Sequence, residues 1–226
     1  MSTVRVRQHV NPLARKYQVA VPASDWRQRF ARPEQPLHLD IGCARGDFPL
    51  AMAAAFPDWN FLGVEIRQPL VIEANQERER LGLTNLDYLS ANITTSLDVC
   101  LPASSLAAAS IQFPDPWFKR RHQKRRVVQP ELVQGLATCL QPGGWVLLQS
   151  DIEAVALEMR RRFRENPEFW EVTPEVAPSD TDAQGSRQAN RPSDWLSQNP
   201  LPVPTERELQ TQARDLPIYR AKFVRR

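Results

Sequence analysis

The segment FPDPWFKRRHQKRR, residues 113–126, gathers an acid, aromatic rings and a dense basic run into one short stretch. Pro116 biases Asp115 towards extended backbone and Pro114 does the same to Phe113, so the Asp115 carboxylate is expected on a stiff turn. Rigid placement is what a reacting site needs, because a group already oriented loses little freedom in the transition state. Trp117 and Phe118 offer π-faces for a base or a loop, and the basic residues that follow supply contacts to phosphates. That combination suits nucleotides splayed out of an RNA loop. A proline turn followed by a solvated charge run is the plainer alternative.

A second constellation lies upstream. The stretch DIGCARG, Asp40 to Gly46, follows an apolar run and leads into a helical one. Gly42 and Gly46 permit a tight turn and close approach of a cofactor to the backbone, and Asp40 stands where a carboxylate reaches the crevice beyond the strand ends. Glu65 closes the next apolar run in GVEI, a position from which a carboxylate accepts both hydroxyls of a ribose. The spacing fits an adenosine cofactor. A dinucleotide fingerprint needs GxGxxG to admit a pyrophosphate. Here the pattern is GxxxG with Ala44 between, and the acidic Asp40 repels pyrophosphate while suiting an ammonium. Asn92, in SANI after the third apolar run, is either a partner for adenine or a turn-capping Asn.

The elements that must carry these groups alternate. Apolar runs at 37–41, 61–65, 86–90, 108–113 and 145–150 read as strands, with helical periodicity at 48–56, 69–81, 130–140 and 153–166 between or after them. Alternation of this kind predicts an α/β sheet of mostly parallel strands. Pro142, Gly143 and Gly144 are expected to form a turn into the fifth strand, and Arg160, Arg161 and Arg164 a solvated helix face. Another helix restarts at Thr205, and 218–224 is a final strand candidate. The first 36 residues, basic and broken by prolines, read as an arm with a short helix at 26–31. Residues 37–226 form the main domain, with a long loop at about 173–204 that holds six prolines.

Composition narrows the class further. The chain has 226 residues, 42% hydrophobic and 24% charged, an ordinary globular mixture. No apolar run approaches a membrane span, and the N-terminus lacks the apolar core of a signal peptide, so a cytoplasmic protein is expected. Cys43, Cys100 and Cys139 form no CxxC pair, and His9, His38 and His122 lack metal-ligand spacing, so no metal is expected and His38 reads as a core residue. Of 29 basic residues four are Lys, and two of these, Lys119 and Lys124, fall in the 119–126 run. Arginine suits bidentate contact with phosphate, although codon composition also explains its excess.

Taken together these motifs resemble those of the bacterial tRNA (guanine-N7)-methyltransferases. The resemblance rests on DIGCARG, GVEI, FPDPWFKRRHQKRR, LQPGGWVLLQSD ending at Asp151, and PTERE at 204–208. It implies a Rossmann-like class I methyltransferase fold, α/β with a mostly parallel central sheet and helices on both faces. S-adenosyl-L-methionine would be the cofactor and a variable-loop guanine of tRNA the substrate, in a monomer or homodimer. Cofactor contacts are implied from Asp40, Gly42, Glu65, Asn92 and Asp115, with Asp115 also the catalytic carboxylate. Substrate contacts are implied from Lys119, Asp151, Thr205, Glu206, Arg207 and Glu208, and RNA contacts from Arg121, His122, Lys124, Arg125 and Arg126. The chain departs from the common pattern at Asp40 for Glu, Ala44 for Gly, Asn92 for Asp and Phe118 for Pro. The rival readings are a methyltransferase of the same fold acting on another substrate, an NAD-dependent oxidoreductase, and a non-catalytic RNA-binding protein.

Overall fold

The computed structural model describes residues 10–21, 26–173 and 195–226. Seven strands form one sheet: β1 (Leu37–Ile41), β2 (Asn60–Glu65), β3 (Leu86–Ser90), β4 (Leu106–Gln112), β5 (Leu140–Ser150), β6 (Phe169–Glu171) and β7 (Tyr219–Arg225). Their order is β3-β2-β1-β4-β5-β7-β6. Strands β1 to β5 pair in parallel, while β7 runs antiparallel to both β5 and β6. Among the described residues six α-helices accompany them, besides three short 3-10 turns: α1 (Asp47–Ala55), α2 (Gln68–Leu81), α3 (Ile93–Cys100), α4 (Pro130–Cys139), α5 (Glu153–Arg164) and α6 (Glu206–Gln212). The sequence order reverses between β1 and β4, which makes the carboxyl ends of those strands the place where a crevice opens.

Strand residues alternate between two cores, because successive side chains leave opposite faces of a sheet. Leu39, Leu62, Ala109, Val146 and Phe223 face a larger cluster completed by Leu97 of α3, Leu136 of α4 and Phe163 of α5. Phe61, Leu86 and Leu147 face a smaller one with Phe48 and Met52 of α1 and Val71 of α2. Helices therefore cover both faces, as expected. Burying a side chain such as Leu136, with no exposed surface, contributes about 2 kcal/mol. Helix ends follow local chemistry: Pro69 and Pro130 open α2 and α4 where no N–H is required, and Gly82 closes α2 in the left-handed conformation at φ 67°.

Several expectations are corrected. Pro142, Gly143 and Gly144 are not a turn before β5 but an irregularity inside it: Leu106 pairs with Leu140 and Ala108 with Trp145, so extra residues bulge from one continuous strand. Helix α3 and strand β6 were not anticipated; α3 starts one residue after Asn92, and β6 has three residues on the sheet edge. Arg160 is not solvated. Its side chain pairs with Glu171, and its guanidinium lies 4.6 Å from the centre of the Trp195 ring. Most of the proline-rich segment, 174–194, lies outside the described residues, as do 1–9 and 22–25.

Candidate active site

The turn after β1 is held from behind. Gly42 N–H and Cys43 N–H both donate to the Val64 carbonyl, at 2.8 and 3.2 Å, and Ala44 N–H donates to Glu65 Oε2 at 3.2 Å. Gly42, Ala44 and Gly46 all take positive φ, at 80°, 52° and 82°. A side chain at Gly42 would meet nothing within 4 Å, so the turn faces open space there. Gly46 has a different reason. Its missing Cβ makes room for the Tyr88 ring, which would otherwise lie 2.5 Å away, and the Tyr88 hydroxyl donates to the Gly46 carbonyl at 2.6 Å. The same ring fills the space left by Gly63 on β2.

Asp40 is buried on β1, and two donors reach the same oxygen, Oδ1: Ser110 Oγ at 2.6 Å and Gln112 Nε2 at 3.2 Å. Burial raises its pKa to about 6 despite those bonds, with Glu65 adding to the rise. His38, on the same face, is pushed down to about 4 by burial and is therefore neutral. Because Ser110 donates to Asp40, its oxygen accepts from His38, 2.9 Å away, which puts the imidazole proton on Nε2. His38 is a satisfied core residue.

Glu65 closes β2 with a carboxylate that is 4% exposed and fully engaged. Arg67 grips it from both sides, with Nε on Oε1 and Nη2 on Oε2, each at 3.0 Å, and adds its backbone N–H at 2.9 Å. Partial burial of Arg67 works against its charge, but hydrogen bonding and attraction from Glu65, then attraction from Asp115, outweigh it and raise its pKa. Glu65 and Asp115 thus act on one guanidinium at the carboxyl edge of the sheet.

Asp115 itself sits between two strained residues. Phe113 has φ 48° and Trp117 φ 42°. Phe113 is therefore not extended, as the following proline suggested, but left-handed, and its N–H still donates to the Gln149 carbonyl of β5 at 2.8 Å. Such backbone costs about 1–3 kcal/mol per residue and persists where surroundings over-determine it. The surroundings here are visible. Arg126 Nε donates to the Pro116 carbonyl at 2.7 Å, and the same guanidinium pairs with Glu158 of α5. This corrects the placement of Arg126 on an RNA face: its side chain is 10% exposed and braces the turn instead. Trp117 is likewise clamped, with the Arg125 guanidinium 4.9 Å from its ring centre and the His122 ring edge-on at 5.8 Å. Phe118 is the exposed aromatic, at 73%, and Lys119, Arg120, Arg121 and Lys124 are exposed beside it.

Asn92 is also spoken for. Its Oδ1 caps α3 by accepting from Thr94 N–H at 3.3 Å, and its amide donates to the Pro12 and Tyr17 carbonyls at 3.3 and 3.0 Å. The capping alternative describes its geometry, and tying down the N-terminal segment was unforeseen. Asp151, just past β5, pairs with Arg207. Thr205 caps α6 by accepting from Glu208 N–H at 3.1 Å, and Glu206 is exposed. Glu208 points inward, 1% exposed, receiving Arg220 Nη2 at 2.7 Å, Asn199 Nδ2 at 2.7 Å and Gln149 Nε2 at 3.2 Å. Direct contact of Glu208 with a base would require the packing around it to move, since it is 1% exposed. Arg220 and Gln149 carried no sequence signal beyond their place on strands.

A shallow cleft of about 250 Å³ lies at the opposite, amino end of the strands, but Glu34 is the lone charged residue of its lining. Among the described residues no group of three or more His, Cys, Asp or Glu could hold a metal, and no helix is long and apolar enough to cross a membrane.

Known proteins resemble this chain. The family described as "Putative methyltransferase" matches residues 34–221. A tRNA (guanine-N(7)-)-methyltransferase of Microcystis aeruginosa is 54% identical over 226 residues, covering 99% of each chain. One from Trichormus variabilis is 56% identical over 225 residues, 98% of this chain and 96% of its own. Among solved structures, an aminoglycoside resistance methyltransferase aligns over 88% of this chain and 90% of its own with a TM-score of 0.50 at 15% identity, a likeness of fold alone.

Proposed function

The chain belongs to the tRNA (guanine-N7)-methyltransferase family, and from that premise we propose that it methylates N7 of a variable-loop guanine in tRNA with S-adenosylmethionine. The observation that supports the reading is topological: Glu65, gripped by Arg67, ends β2 and Asp115 follows β4, so both acids stand at the carboxyl edge of the sheet, where the charge of Asp115 also reaches Arg67. The residues fit the cofactor. Asp40 offers an anion to an ammonium, Glu65 offers a carboxylate to a ribose diol after exchange with Arg67, and Gly42 leaves room beside the turn. A dinucleotide fits poorly, since its pyrophosphate would face Asp40.

When bound, S-adenosylmethionine supplies a methyl group on a positive sulfur, which keeps the bonding pair as N7 takes the carbon. Guanine N7 already presents a lone pair, so no residue has to remove a proton first. Positioning is then the main task. Asp115 orients the base through its N–H groups and offsets the positive charge that grows on the purine. Lys119, Arg120, Arg121 and Lys124 supply an exposed basic rim for RNA phosphates. Asp151, Thr205, Glu206 and Arg207 stand near one another through the Asp151–Arg207 pair and form the base-holding side, with Glu208 anchoring it from within.

The test is methylation of a defined tRNA transcript by the purified protein, with the product digested and its modified nucleoside identified. N7-methylguanosine at one variable-loop position is expected. Methyl groups on another ring atom, or none on tRNA, overturn the reading.

Asp40 adds a pH signature. Its raised pKa of about 6 means that the ionised form needed by an ammonium is complete only above that value. Affinity for S-adenosylhomocysteine is expected to be greatest near about pH 7.5, to fall by up to about tenfold per unit below about pH 6 as Asp40 is protonated, and to weaken again at alkaline pH as the ligand's own ammonium loses its proton. Asp40→Asn should weaken binding and flatten the profile. Calorimetry showing a level profile for the native protein down to about pH 5 removes Asp40 from the ammonium site.

A further inference from the structure

A polar ladder crosses the face of the sheet that carries Asp40. In the strand register Asp40 lies opposite Ser110, Gln112 opposite Gln149, and Gln149 opposite Arg220, so one row of side chains passes from β1 through β4 and β5 to β7. The row is hydrogen-bonded throughout. Gln112 Nε2 donates to Asp40 at 3.2 Å, Gln149 Nε2 donates to Gln112 Oε1 at 2.7 Å and to Glu208 at 3.2 Å, and Arg220 Nε donates to Gln149 Oε1 at 3.1 Å.

The sense of each amide is determined by its neighbours. Arginine can only donate, so the oxygen of Gln149 must face Arg220 and its nitrogen must face Gln112 and Glu208. Ionised Asp40 can only accept, so the nitrogen of Gln112 must face it and the oxygen must face Gln149. Neither amide can flip without leaving a buried donor against a donor, which makes the row a single arrangement rather than a set of independent contacts.

We infer that Gln112 and Gln149 are positioning residues that couple occupancy at Asp40 to the setting of the 205–208 segment, through Glu208 and Arg220. The inference rests on the cofactor reading of Asp40 above. A ligand cation on Asp40 limits rotation of its carboxylate, which fixes Gln112, then Gln149, then the Glu208 carboxylate that anchors the start of α6. Thr205, Glu206 and Arg207 are thereby held more firmly in the orientation they already have when the cofactor is present. Coupling between sites is reciprocal, so a base held by this segment tightens the cofactor in return.

Amide hydrogen exchange of the full chain, with and without S-adenosylhomocysteine, tests this without turnover. Two regions should slow in the native protein: 41–46 by direct contact, and 205–212 by at least about fivefold through the ladder. In Gln112→Met, which cuts the row while leaving the Glu208–Arg220 and Ser110–Asp40 contacts in place, slowing should persist at 41–46 and vanish at 205–212. Gln149→Met should do the same and serves if the first variant does not fold. Slowing at 205–212 that survives in a folded variant overturns the coupling, as does its absence in the native protein when 41–46 is protected. No protection at 41–46 overturns the cofactor reading and the coupling with it.

Discussion

Asp115→Ala should lower methyl transfer to tRNA by roughly 10²–10³-fold, the usual effect of removing one group aimed at charge developing in a transition state. The carboxylate is only partly buried and lies outside both hydrophobic cores, so its removal should not unfold the chain. The strained backbone on either side is held by other contacts, from Phe113 N–H to β5 and from Arg126 to Pro116, and these survive truncation at position 115. Binding of the cofactor and of tRNA should therefore change much less than turnover. Asp115→Asn sharpens the result: it keeps the size and loses the charge, so activity close to that of the alanine variant would assign the effect to electrostatics, and activity close to native would assign it to shape. Single-turnover rates at saturating tRNA measure it. Turnover within a few fold of native in Asp115→Ala would remove the residue from the chemistry.

Reversing Arg120, Arg121 and Lys124 together to Glu should weaken tRNA binding by roughly 10²-fold or more near physiological salt, since each lost phosphate contact also forfeits released counterions. These three are chosen because they are exposed, whereas Arg125 lies against Trp117 and Arg126 pairs with Glu158. The dependence on salt is the discriminating readout. A plot of log affinity against log salt should flatten by about 2 units, from roughly 0.7 per contact for single-stranded RNA. Filter binding at several ionic strengths that gave native slope and affinity would take this rim away from the RNA. Substituting Arg126 should behave differently, because its guanidinium holds the Asp115 turn to α5; its loss should cut turnover more than tRNA affinity.

The parallel strands were readable because a strand buried on both faces is a short apolar run, and all five residues of β1 are buried. The acids at their ends were readable for a related reason: charge at the edge of an apolar run stands out. Partnership was not. Arg125 and Arg126 are indistinguishable in a basic run, yet one stacks on Trp117 and the other turns towards Glu158, a choice made by a helix that begins 27 residues after Arg126. Glu208 was expected at the substrate, and its burial depends on Arg220 arriving on an antiparallel strand. Asn92 meets carbonyls 75 and 80 residues earlier in the chain, which no local pattern encodes. Strand β6 was missed because three residues are too few for periodicity to register.

Tyr88 gives the two glycines beside it unequal histories. Position 63 is constrained by that ring and by the Cys43 sulfur, so a methyl group there becomes tolerable once residue 88 shrinks and the thiol shifts. Position 46 is locked twice, by the ring and by its own left-handed backbone, and a smaller neighbour frees only one of the locks. Diverging copies of this protein should exchange 63 and 88 as a pair while 46 stays still, so the last glycine of the first turn records the shape of the third strand rather than that of any ligand.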